Sequence, residues 1–498
     1  EGTVLAVEGD YSYDEYCRLI GLVYHQGSNV LNSYAWMYSA GGEWSVTSGQ
    51  NSSLSPLAAS LWLPTGGLMP IHDTTGVTQA LAEGGLAGLS FITSCTSADG
   101  TAIFSYDPTG QLIGASYTGG QSNESYSYDA NGNRITANGS TYTTGANNRL
   151  LSDGTYTYAY DAEVNRTARF IDANADGVLD SGDTDITEYA WDNRNRLVEV
   201  TDRALFGGDP TQAVVYIYDA ENRWIGENID SDGDGEIDRE IRFAYDGNQI
   251  VLQFEKDGGG PVTGADLSHH YLWQPDAVDQ LMADEQVSDI ETAGAVVWPL
   301  ADNQGTVRDL ATMDSAGVAS VANHRVYDSY GNLKSENNAA VDCLFGYTGR
   351  HLDQATGLQN NLNRWYDAKI GRWASEDPIG FNGLDANTSR YVSNSPTNAT
   401  DPNGLKVVKI HEREVLTRKK ALELALYGNH YPGLLPGGHE GILPKSNTYF
   451  AHIAGDRELD KLAHRKDWEV VIGKLTDDQT QLVSYAGGKA ETEQMLAQ

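Results

Sequence analysis

Hydrophobic and polar residues alternate in short runs along most of this chain, and turn-forming residues separate the runs. In the run Tyr156-Thr157-Tyr158-Ala159-Tyr160, every second residue is aromatic. In an extended strand, alternate side chains point to the same face, so these aromatic rings share one face. Short alternating runs bounded by Gly, Asn and Asp predict β-strands that are joined by tight turns. The chain is therefore predicted to be mostly β.

One pattern recurs, in which Tyr or Trp and then Asp end a run and are followed by a tight turn. Copies begin at Tyr106-Asp107, Tyr128-Asp129, Tyr160-Asp161, Trp191-Asp192, Tyr218-Asp219, Tyr245-Asp246 and Tyr327-Asp328. The Asp side chain can close the turn, and Asn or Gly supplies the positive φ that reverses the chain. A single hairpin is marginally stable, so the repeated hairpins are predicted to stack into a continuous sheet.

The repeat is interrupted near the beginning of the chain. No clean copy lies between Tyr13-Asp14 and Tyr106-Asp107. Residues 40–100 are therefore either a degenerate repeat or a surface insertion, and the pattern leaves both open. The chain begins at Glu1 without Met and inside the repeat. We expect it to be a C-terminal fragment of a longer protein, so a missing targeting signal carries no information.

Charge divides the chain at the turn Asp401-Pro402-Asn403-Gly404-Leu405. Residues 1–405 contain 20 Lys and Arg against 56 Asp and Glu, whereas residues 406–498 contain 13 of each. The whole excess of −36 therefore lies in the first part, which argues against nucleic-acid binding by that part. The three Cys are too few for a disulfide scaffold or a zinc site. No apolar run has the length of a membrane-spanning helix.

Two insertions between repeats carry oxygen-bearing side chains at alternating positions. They supply Asp172, Asn174, Asp176, Asp180 and Asp183 in the first loop and Asp230, Asp232, Asp234 and Asp238 in the second. Oxygen ligands at positions 1, 3 and 5, Gly at 6 and a carboxylate at 9 are typical of EF-hand-like calcium loops. The second loop has Ile241 at position 12, where a carboxylate is usual. We predict structural Ca²⁺ that stiffens the hairpins; the alternative is a solvated acidic turn.

A longer and more distinctive set of residues follows Tyr347. It comprises Tyr347-Thr348-Gly349-Arg350, Asp353, Gly357-Leu358, Asn363-Arg364-Trp365-Tyr366-Asp367, Gly371-Arg372-Trp373, Glu376-Asp377-Pro378-Ile379-Gly380, Asn387, Tyr391, Asn394, Pro396 and Asp401-Pro402-Asn403-Gly404-Leu405. With the Tyr-Asp copies, which span most of residues 101–405, this set resembles the RHS/YD-repeat polymorphic toxin family and its RHS-associated core. One departure is Leu384, which follows Gly383 where that family usually has a second Gly.

The resemblance implies a fold and an activity. It implies a hollow spiral shell of YD hairpins, closed by the core segment. It also implies that this segment is an intramolecular aspartyl protease without a cofactor, which releases the residues after the last turn into the interior. By position, the family's Arg falls on Arg364 and its two Asp on Asp377 and Asp401. The cut is then predicted between Leu405 and Lys406.

The chemistry of an aspartyl protease suits these residue types. Two carboxylates at close range do not both ionise easily, so they share a proton. One can then activate water while the other protonates the scissile carbonyl or the leaving amine. Taken without the surrounding motif, Asp377-Pro378 and Asp401-Pro402 have a simpler interpretation, since Asp before Pro is common in turns and helix N-caps.

The tail after Leu405 has a different pattern and no repeat. Helices are predicted over residues 412–427 and 457–464, and strands near 448–453, 468–472 and 481–485. These elements describe a small α+β domain. The chain is thereby predicted to have four parts. These are a degenerate or truncated YD-repeat region (residues 1–100), the YD shell (101–345), the closing core (346–405) and a variable C-terminal domain (406–498).

In the family, this last position carries a variable toxin, usually an enzyme. Five of the 11 His lie in the tail. His439 and Glu440, with His452 and Arg457, are candidates for the acid, base and phosphate ligand of a nuclease, such as a ribonuclease. The alternative is that these His are ordinary surface residues. The tail lacks Cys, which excludes a zinc deaminase of the His/Cys/Cys type and a cysteine protease.

The resulting hypothesis is a secreted or cell-surface shell that encloses its own C-terminal toxin and releases it by self-cleavage. The resemblance also implies a cognate immunity protein and a secretion or delivery machinery as partners. A rival hypothesis is a non-enzymatic adhesion or scaffold protein of the cell surface, in which the tail is inert and Asp401 is a plain turn residue. Cleavage after Leu405 discriminates between the two.

Overall fold

The computed structural model describes residues 7–13, 18–39, 61–62, 68–69, 91–274, 280–409, 470–475 and 480–485. The chain forms two compact units, residues 1–12 with 19–410 and residues 13–18 with 411–498. Among the described residues, no helix is long and apolar enough to cross a membrane. The described structure is mostly antiparallel β, as predicted from the alternating pattern.

The first part of the chain contributes strands β1 to β11. They are β1 (Glu8–Tyr13), β2 (Leu19–Gln26), β3 (Asn29–Tyr38), β4 (Leu61–Trp62), β5 (Leu68–Met69), β6 (Ile92–Ser97), β7 (Gly100–Tyr106), β8 (Leu112–Tyr117), β9 (Glu124–Tyr128), β10 (Arg134–Ala137) and β11 (Ser140–Thr141). Nine of them form one sheet in the order β1-β2-β3-β6-β7-β8-β9-β10-β11, and β4 pairs with β5. Neighbours in the sheet are therefore neighbours in sequence, apart from one gap.

The gap lies between β3 and β6, which are neighbours in the sheet although residues 40–90 separate them in sequence. Trp36 of β3 pairs directly with Cys95 of β6. The backbone N–H of Ser39 donates to the carbonyl oxygen of Phe91 at 2.8 Å, which closes the two ends. Residues 40–90 are thus inserted between two adjacent strands, and the hairpins on either side continue the sheet.

The middle of the chain forms a second and longer sheet. Its strands are β12 (Thr143–Thr144), β13 (Leu150–Ser152), β14 (Thr157–Tyr160), β15 (Arg166–Ile171), β16 (Thr184–Trp191), β17 (Leu197–Leu205), β18 (Pro210–Tyr218), β19 (Trp224–Asp230), β20 (Arg239–Asp246), β21 (Gln249–Asp257), β22 (Leu267–Trp273), β23 (Leu281–Gln286), β24 (Ala295–Ala301), β25 (Val307–Met313), β26 (Ala319–Tyr327) and β27 (Leu333–Glu336). All 16 strands lie in chain order, so each hairpin stacks on the one before it, as the repeat predicts.

Short strands and single turns complete the described fold. They are β28 (His351–Leu352), β29 (Gln359–Asn360), β30 (Trp365–Asp367), β31 (Arg372–Trp373), β32 (Ala399–Thr400), β33 (Val408–Lys409), β34 (Val470–Leu475) and β35 (Thr480–Tyr485), with 3-10 turns at Ala146–Asn148, Gly264–Asp266, Tyr347–Gly349, Gly380–Gly383 and Val392–Asn394. Strands β28 to β31 form a four-stranded sheet, β32 pairs with β33, and β34 pairs with β35.

The Asp of the repeat closes its own turn. Oδ1 of Asp129 accepts the backbone N–H groups of Asn131 at 2.9 Å and Asn133 at 2.8 Å, and Oδ2 accepts Asn133 Nδ2 at 3.0 Å. The same three-bond pattern recurs at Asp161 and Asp219. The predicted role of this Asp in the turn is confirmed.

In several repeats, the aromatic residue ties its hairpin to the preceding one. Tyr128 Oη donates to the carbonyl oxygen of Leu112 at 2.7 Å, and Tyr245 Oη donates to that of Trp224 at 2.7 Å. In both cases the acceptor is the first strand residue after the preceding turn. The Tyr-Asp pair therefore combines a bond between repeats with a bond within a repeat, which explains why the two residues recur together.

The closing segment packs against the buried face of the long sheet. The Trp365 ring lies 4.5 Å from Tyr216 and 5.1 Å from Trp224 between ring centroids. Arg166 Nη1 of β15 forms an ion pair of 2.7 Å with Asp367 Oδ2 of β30. Apolar burial and a buried ion pair thus hold the segment that carries the candidate site.

In the second unit, the structure describes the hairpin β34–β35, in which Val470 pairs with Tyr485. This hairpin overlaps the strands predicted near residues 468–472 and 481–485. The helices predicted over residues 412–427 and 457–464 and the strand predicted near 448–453 lie outside the described residues, so the α+β fold of this domain stays a prediction.

Candidate active site

The predicted cleavage point lies in a loop that two paired strands close. Thr400 of β32 pairs with Val408 of β33, and the Leu405–Lys406 peptide bond lies between them. Gly404 has a φ of +68°, and a Cβ there would lie 2.7 Å from the carbonyl oxygen of Asn361. Only Gly fits this position, because any side chain meets both a left-handed backbone and a close neighbour.

Asp401 is buried directly beside this peptide bond. Only 2% of the residue is exposed. Its Oδ1 accepts the backbone N–H of Leu405 at 3.1 Å and that of Lys406 at 3.0 Å. The second of these N–H groups belongs to the peptide bond that is predicted to be cut. Asp401 thus contacts the nitrogen that becomes the leaving amine in hydrolysis.

Arg364 joins the two predicted carboxylates. Its Nη2 lies 3.2 Å from Asp377 Oδ2 and 3.1 Å from Asp401 Oδ2. The remaining guanidinium nitrogens bond to backbone, since Nη1 donates to Thr388 O at 3.0 Å and Nε donates to Gly404 O. The guanidinium carbon also lies 4.1 Å from the centre of the Trp373 ring. These contacts leave Arg364 one orientation, and it brings Asp377 and Asp401 to one nitrogen.

The other carboxylate oxygen of Asp377, Oδ1, is also fixed by a hydrogen bond. Its Oδ1 accepts the backbone N–H of Ile379 at 2.9 Å, and its own N–H donates to Thr388 O at 3.1 Å. The Asx turn that an Asp-Pro pair favours is therefore present. It coexists with the contact to Arg364 because the two interactions use different carboxylate oxygens.

The charges of the three side chains balance only in part. Burial raises the pKa of Asp401 above the ordinary Asp range; the Arg364 charge opposes this shift and the Asp377 charge adds to it. Burial also lowers the pKa of Arg364, against the attraction of Asp377 and Asp401. One guanidinium can offset the charge of only one ionised carboxylate, so the pKa of the buried Asp401 stays raised despite Arg364.

Two Asn side chains that the sequence analysis did not assign also build this site. Asn361 Nδ2 donates to the backbone carbonyl of Asp401 at 2.7 Å, which fixes the start of the loop. Asn403 Oδ1 accepts the N–H groups of Leu405 at 3.1 Å and Lys406 at 3.3 Å, beside Asp401 Oδ1. No spacing rule assigns either role, because each depends on how the loop folds back onto the preceding turn.

Leu384, at a position where the family usually has Gly, has a strained backbone conformation. Leu384 has a φ of +64° and is 93% exposed. That backbone region favours Gly and costs other residues roughly 1 kcal/mol or more. The usual Gly would relieve this strain, yet the loop of the candidate site keeps its turn with Leu.

The acidic loops differ in how far their carboxylates converge. Ligand oxygens of Asp230, Asp232 and Asp238 all lie within 4.8 Å of one another; no other such group of carboxylates, including the first loop, occurs in the described part of the chain. All four Asp of this loop also accept backbone N–H groups, among them that of Glu236, which donates to Asp234 Oδ1 at 2.8 Å. The structure thus brings together three of the four predicted ligands of the second loop.

In the first loop, the carboxylates accept hydrogen bonds from backbone N–H groups of the loop. Both oxygens of the buried Asp183 accept backbone N–H groups, from Ala173 at 3.0 Å and Asp180 at 2.8 Å. Asp172 accepts those of Ala175 and Gly177. Desolvation and the charges of Asp176, Asp183 and Asp172 raise the pKa of Asp180. The predicted ligand Asn174 bonds to Asp176 through Nδ2 at 3.1 Å.

The nuclease candidates His439, Glu440, His452 and Arg457 lie outside the described residues. Their grouping and their role therefore stay predictions.

Comparison with known proteins identifies the class to which this fold and site belong. Residues 90–398 match the family model of the Teneurin YD-shell. The chain belongs to this YD-shell family, as an RHS/YD-repeat protein of the polymorphic toxin type.

Several curated proteins, two of them named as toxins, are similar to part of this chain. The chain is 26% identical over 378 residues to double-stranded DNA deaminase toxin A of Burkholderia cenocepacia, which covers 72% of this chain and 24% of that protein. It is 29% identical over 312 residues to tRNA nuclease WapA of Bacillus subtilis, covering 60% and 12%. It is 27% identical over 351 residues to toxin protein Tse5 of Pseudomonas aeruginosa, covering 61% and 25%. The chain thus spans a quarter or less of the length of these relatives.

A solved structure has the same fold. It is that of the Photorhabdus luminescens Tc holotoxin pore with a mutation in TccC3, with a TM-score of 0.53 and 17% sequence identity over 81% of this chain and 18% of that one. At this identity the similarity concerns the fold alone. Two of the three relatives are named for unlike activities, a DNA deaminase and a tRNA nuclease, so the similarity does not specify what the tail of this chain does.

Proposed function

We propose that this protein is a toxin shell that cuts its own chain between Leu405 and Lys406. One observation carries the proposal: Asp401 bonds to the N–H of Lys406 through Oδ1 and shares Arg364 with Asp377 through Oδ2. A plain turn residue needs neither a buried cation nor a second carboxylate at that distance.

In the proposed reaction, the two carboxylates have different roles. The Asp377 carboxylate takes a proton from water, whose oxygen adds to the Leu405 carbonyl carbon. Protonated Asp401 gives its proton to the Lys406 nitrogen as the carbon–nitrogen bond breaks. The products are a carboxylic acid at Leu405 and an amine at Lys406, and the reaction leaves Asp377 protonated and Asp401 ionised. Burial supports the role of Asp401, because it keeps this group protonated to a higher pH than an exposed Asp.

Arg364 stabilises the site without joining the proton transfer. Its charge holds one carboxylate ionised beside one that is protonated. Its bonds to Gly404 O and Thr388 O fix the loop relative to the Asp377 turn. This geometry holds the scissile bond beside both acids before water arrives, which lowers the entropic part of the barrier.

The test is the intact mass of the purified chain in denaturant, beside Asp377→Asn and Asp401→Asn. We expect a break after Leu405 in the parent and a single full-length species in both variants. Asp209→Asn, at an exposed site, is the matched control and should be cut as the parent is. An uncut parent would contradict self-cleavage and would favour the adhesion or scaffold function with an inert tail.

The released segment, residues 406–498, is proposed to be the toxin, enclosed in a closed spiral formed by residues 1–405. The toxin names of two relatives and the nuclease name of a third support this proposal. In this proposal the protein is secreted or carried to the cell surface by a delivery machinery, and an immunity protein protects the producer. Growth arrest on expression of residues 406–498, relieved by His439→Ala or Glu440→Ala, is the expected result for an enzymatic toxin. Normal growth with the soluble segment present would contradict it.

For the metal, we propose that Ca²⁺ binds the second acidic loop through Asp230, Asp232 and Asp238. The converging carboxylates support this choice, because Ca²⁺ takes six or more oxygen ligands in flexible geometry. The first loop is proposed as a weaker site, since its carboxylate oxygens do not converge as those of Asp230, Asp232 and Asp238 do.

A further inference from the structure

Gly383 lies between one proposed catalytic carboxylate and the bond to be cut. It is the last residue of the 3-10 turn Gly380–Gly383. A Cβ at this position would lie 2.8 Å from Asp377 Oδ2 and 3.7 Å from the carbonyl oxygen of Leu405. The first distance is too short for a carbon–oxygen contact, whereas the second is an ordinary van der Waals contact.

Asp377 has little freedom to move away from such a side chain. Its Oδ1 accepts the Ile379 N–H at 2.9 Å, and its Oδ2 lies 3.2 Å from Arg364 Nη2. Asp has only two side-chain torsions, so a displacement of Oδ2 breaks one of these contacts. Any side chain at position 383 therefore acts on the geometry of the carboxylate pair.

The backbone at position 383 does not itself require Gly. Its φ is outside the positive range that other residues avoid, unlike the φ of +68° at Gly404. The space around Gly383 is thus what matters, rather than its conformational freedom. An Ala there is compatible with the fold and conflicts with Asp377.

We propose that Gly383 is a positioning residue for self-cleavage, whose missing side chain leaves room for Asp377 Oδ2 and the attacking water beside the Leu405 carbonyl. This inference rests on the proposed function. It adds to the site a residue that takes no part in proton transfer and acts by leaving space for the Asp377 carboxylate.

The first test follows cleavage of the full chain during cell-free translation. Gly383→Ala should slow the appearance of the two fragments by about 10²-fold, the usual effect of a displacement near 1 Å. Gly264→Ala is the matched control, because Gly264 also lacks a positive φ and a Cβ there meets nothing within 4 Å. Cleavage of Gly383→Ala at the parent rate would overturn the proposal.

The dependence of the residual rate on pH separates positioning from a general loss of structure. The Asp377 charge raises the pKa of Asp401, so a displacement of Asp377 should lower that pKa. The alkaline limb of the rate profile of Gly383→Ala, where Asp401 loses its proton, should therefore move to lower pH. A uniform loss of rate with an unchanged profile would mean that Gly383 serves only the fold.

A second test does not depend on cleavage. In a double-mutant cycle of unfolding free energy on the uncut Asp401→Asn chain, Gly383→Ala should cost less stability in an Asp377→Ala background, because the conflicting carboxylate is gone. Additive costs would overturn the contact. If the parent stays uncut, the proposed function fails and the role of Gly383 fails with it. If the parent is cut but the cycle is additive, only the inference fails.

Discussion

The backbone N–H of Lys406 donates a hydrogen bond of 3.0 Å to Oδ1 of Asp401. The bond spans the point at which the acidic composition of the chain ends. A buried carboxylate is thereby held against the peptide bond that separates the shell from its tail. The same carboxylate shares Arg364 with Asp377, so the boundary coincides with the candidate site.

We expect Arg364→Lys to abolish cleavage and to reduce the free energy of unfolding by about 1–3 kcal/mol, since buried acceptors of the guanidinium lose their donors. A single ammonium cannot reach both carboxylates and the two carbonyl oxygens that the guanidinium bonds. Intact mass and urea unfolding measure the two effects. Arg239→Lys is the control, because the Arg239 side chain is 45% exposed in its pair with Glu255, and it should cost at most about 1 kcal/mol.

Calcium should stabilise the shell through the second acidic loop. At a Ca²⁺ concentration 100-fold above the dissociation constant, we expect a gain of about 2.7 kcal/mol, seen as a higher melting temperature that chelator reverses. Asp230→Asn and Asp238→Asn should lose most of this gain. Asp209→Asn should keep it. A parent whose melting temperature does not respond to Ca²⁺ would show that the loop is a solvated acidic turn.

Because of His324, the free energy of unfolding should fall as the pH becomes alkaline. Its Nδ1 lies 2.6 Å from Asp309 Oδ1 and its Nε2 2.6 Å from Asp99 Oδ1. Bonding to Asp309 and then to Asp99 raises the pKa of His324 to about 9. The folded state thus holds the proton more tightly than the unfolded state, so the added stability is complete below pH 6.5 and is lost as pH rises through 9.

His324→Gln should therefore lower the urea midpoint at pH 7, and its difference from the parent should shrink at pH 10. The matched control is His270→Gln, since His270 is 52% exposed and lies 3.4 Å from Glu285; its effect should be small at both values. An equal difference at pH 7 and pH 10 would mean that His324 contributes through packing alone.

Removing the bond between two repeats should cost about 1 kcal/mol, the net worth of one hydrogen bond. Tyr245→Phe deletes the donor to Trp224 O and keeps the ring. Urea unfolding measures the loss. In the control Tyr156→Phe, the lost bond to Asp185 Oδ2 is exposed, so water replaces it and the change should be smaller. Equal losses would argue against a special role of the repeat Tyr.

The sequence predicted the repeat well because its signals are local. The alternation at residues 156–160 and the turn at Asp129 depend on neighbours within four positions. It did not show that β3 pairs with β6, since residues 40–90 separate the partners. That pairing depends on strand edges meeting in three dimensions.

The candidate site shows the same division. Arg364, Asp377 and Asp401 were predicted through a motif, but Asn361, Asn403 and Gly383 acquire their contacts only when three turns converge. Their residue types are common in any turn. Sequence spacing therefore could not assign them a role.

By itself, the sequence determined a mostly β chain of stacked hairpins, a change of charge after Leu405 and the residue types of a carboxylate pair. These depend on side-chain period, turn chemistry and composition, which act locally. Only the tertiary structure decided that one Arg364 nitrogen joins Asp377 to Asp401. It also decided that Gly383 lies beside the Leu405 carbonyl. The physical reason is that charge pairing and exclusion of a side chain act over a few ångströms between groups far apart in the chain, and folding alone brings them together.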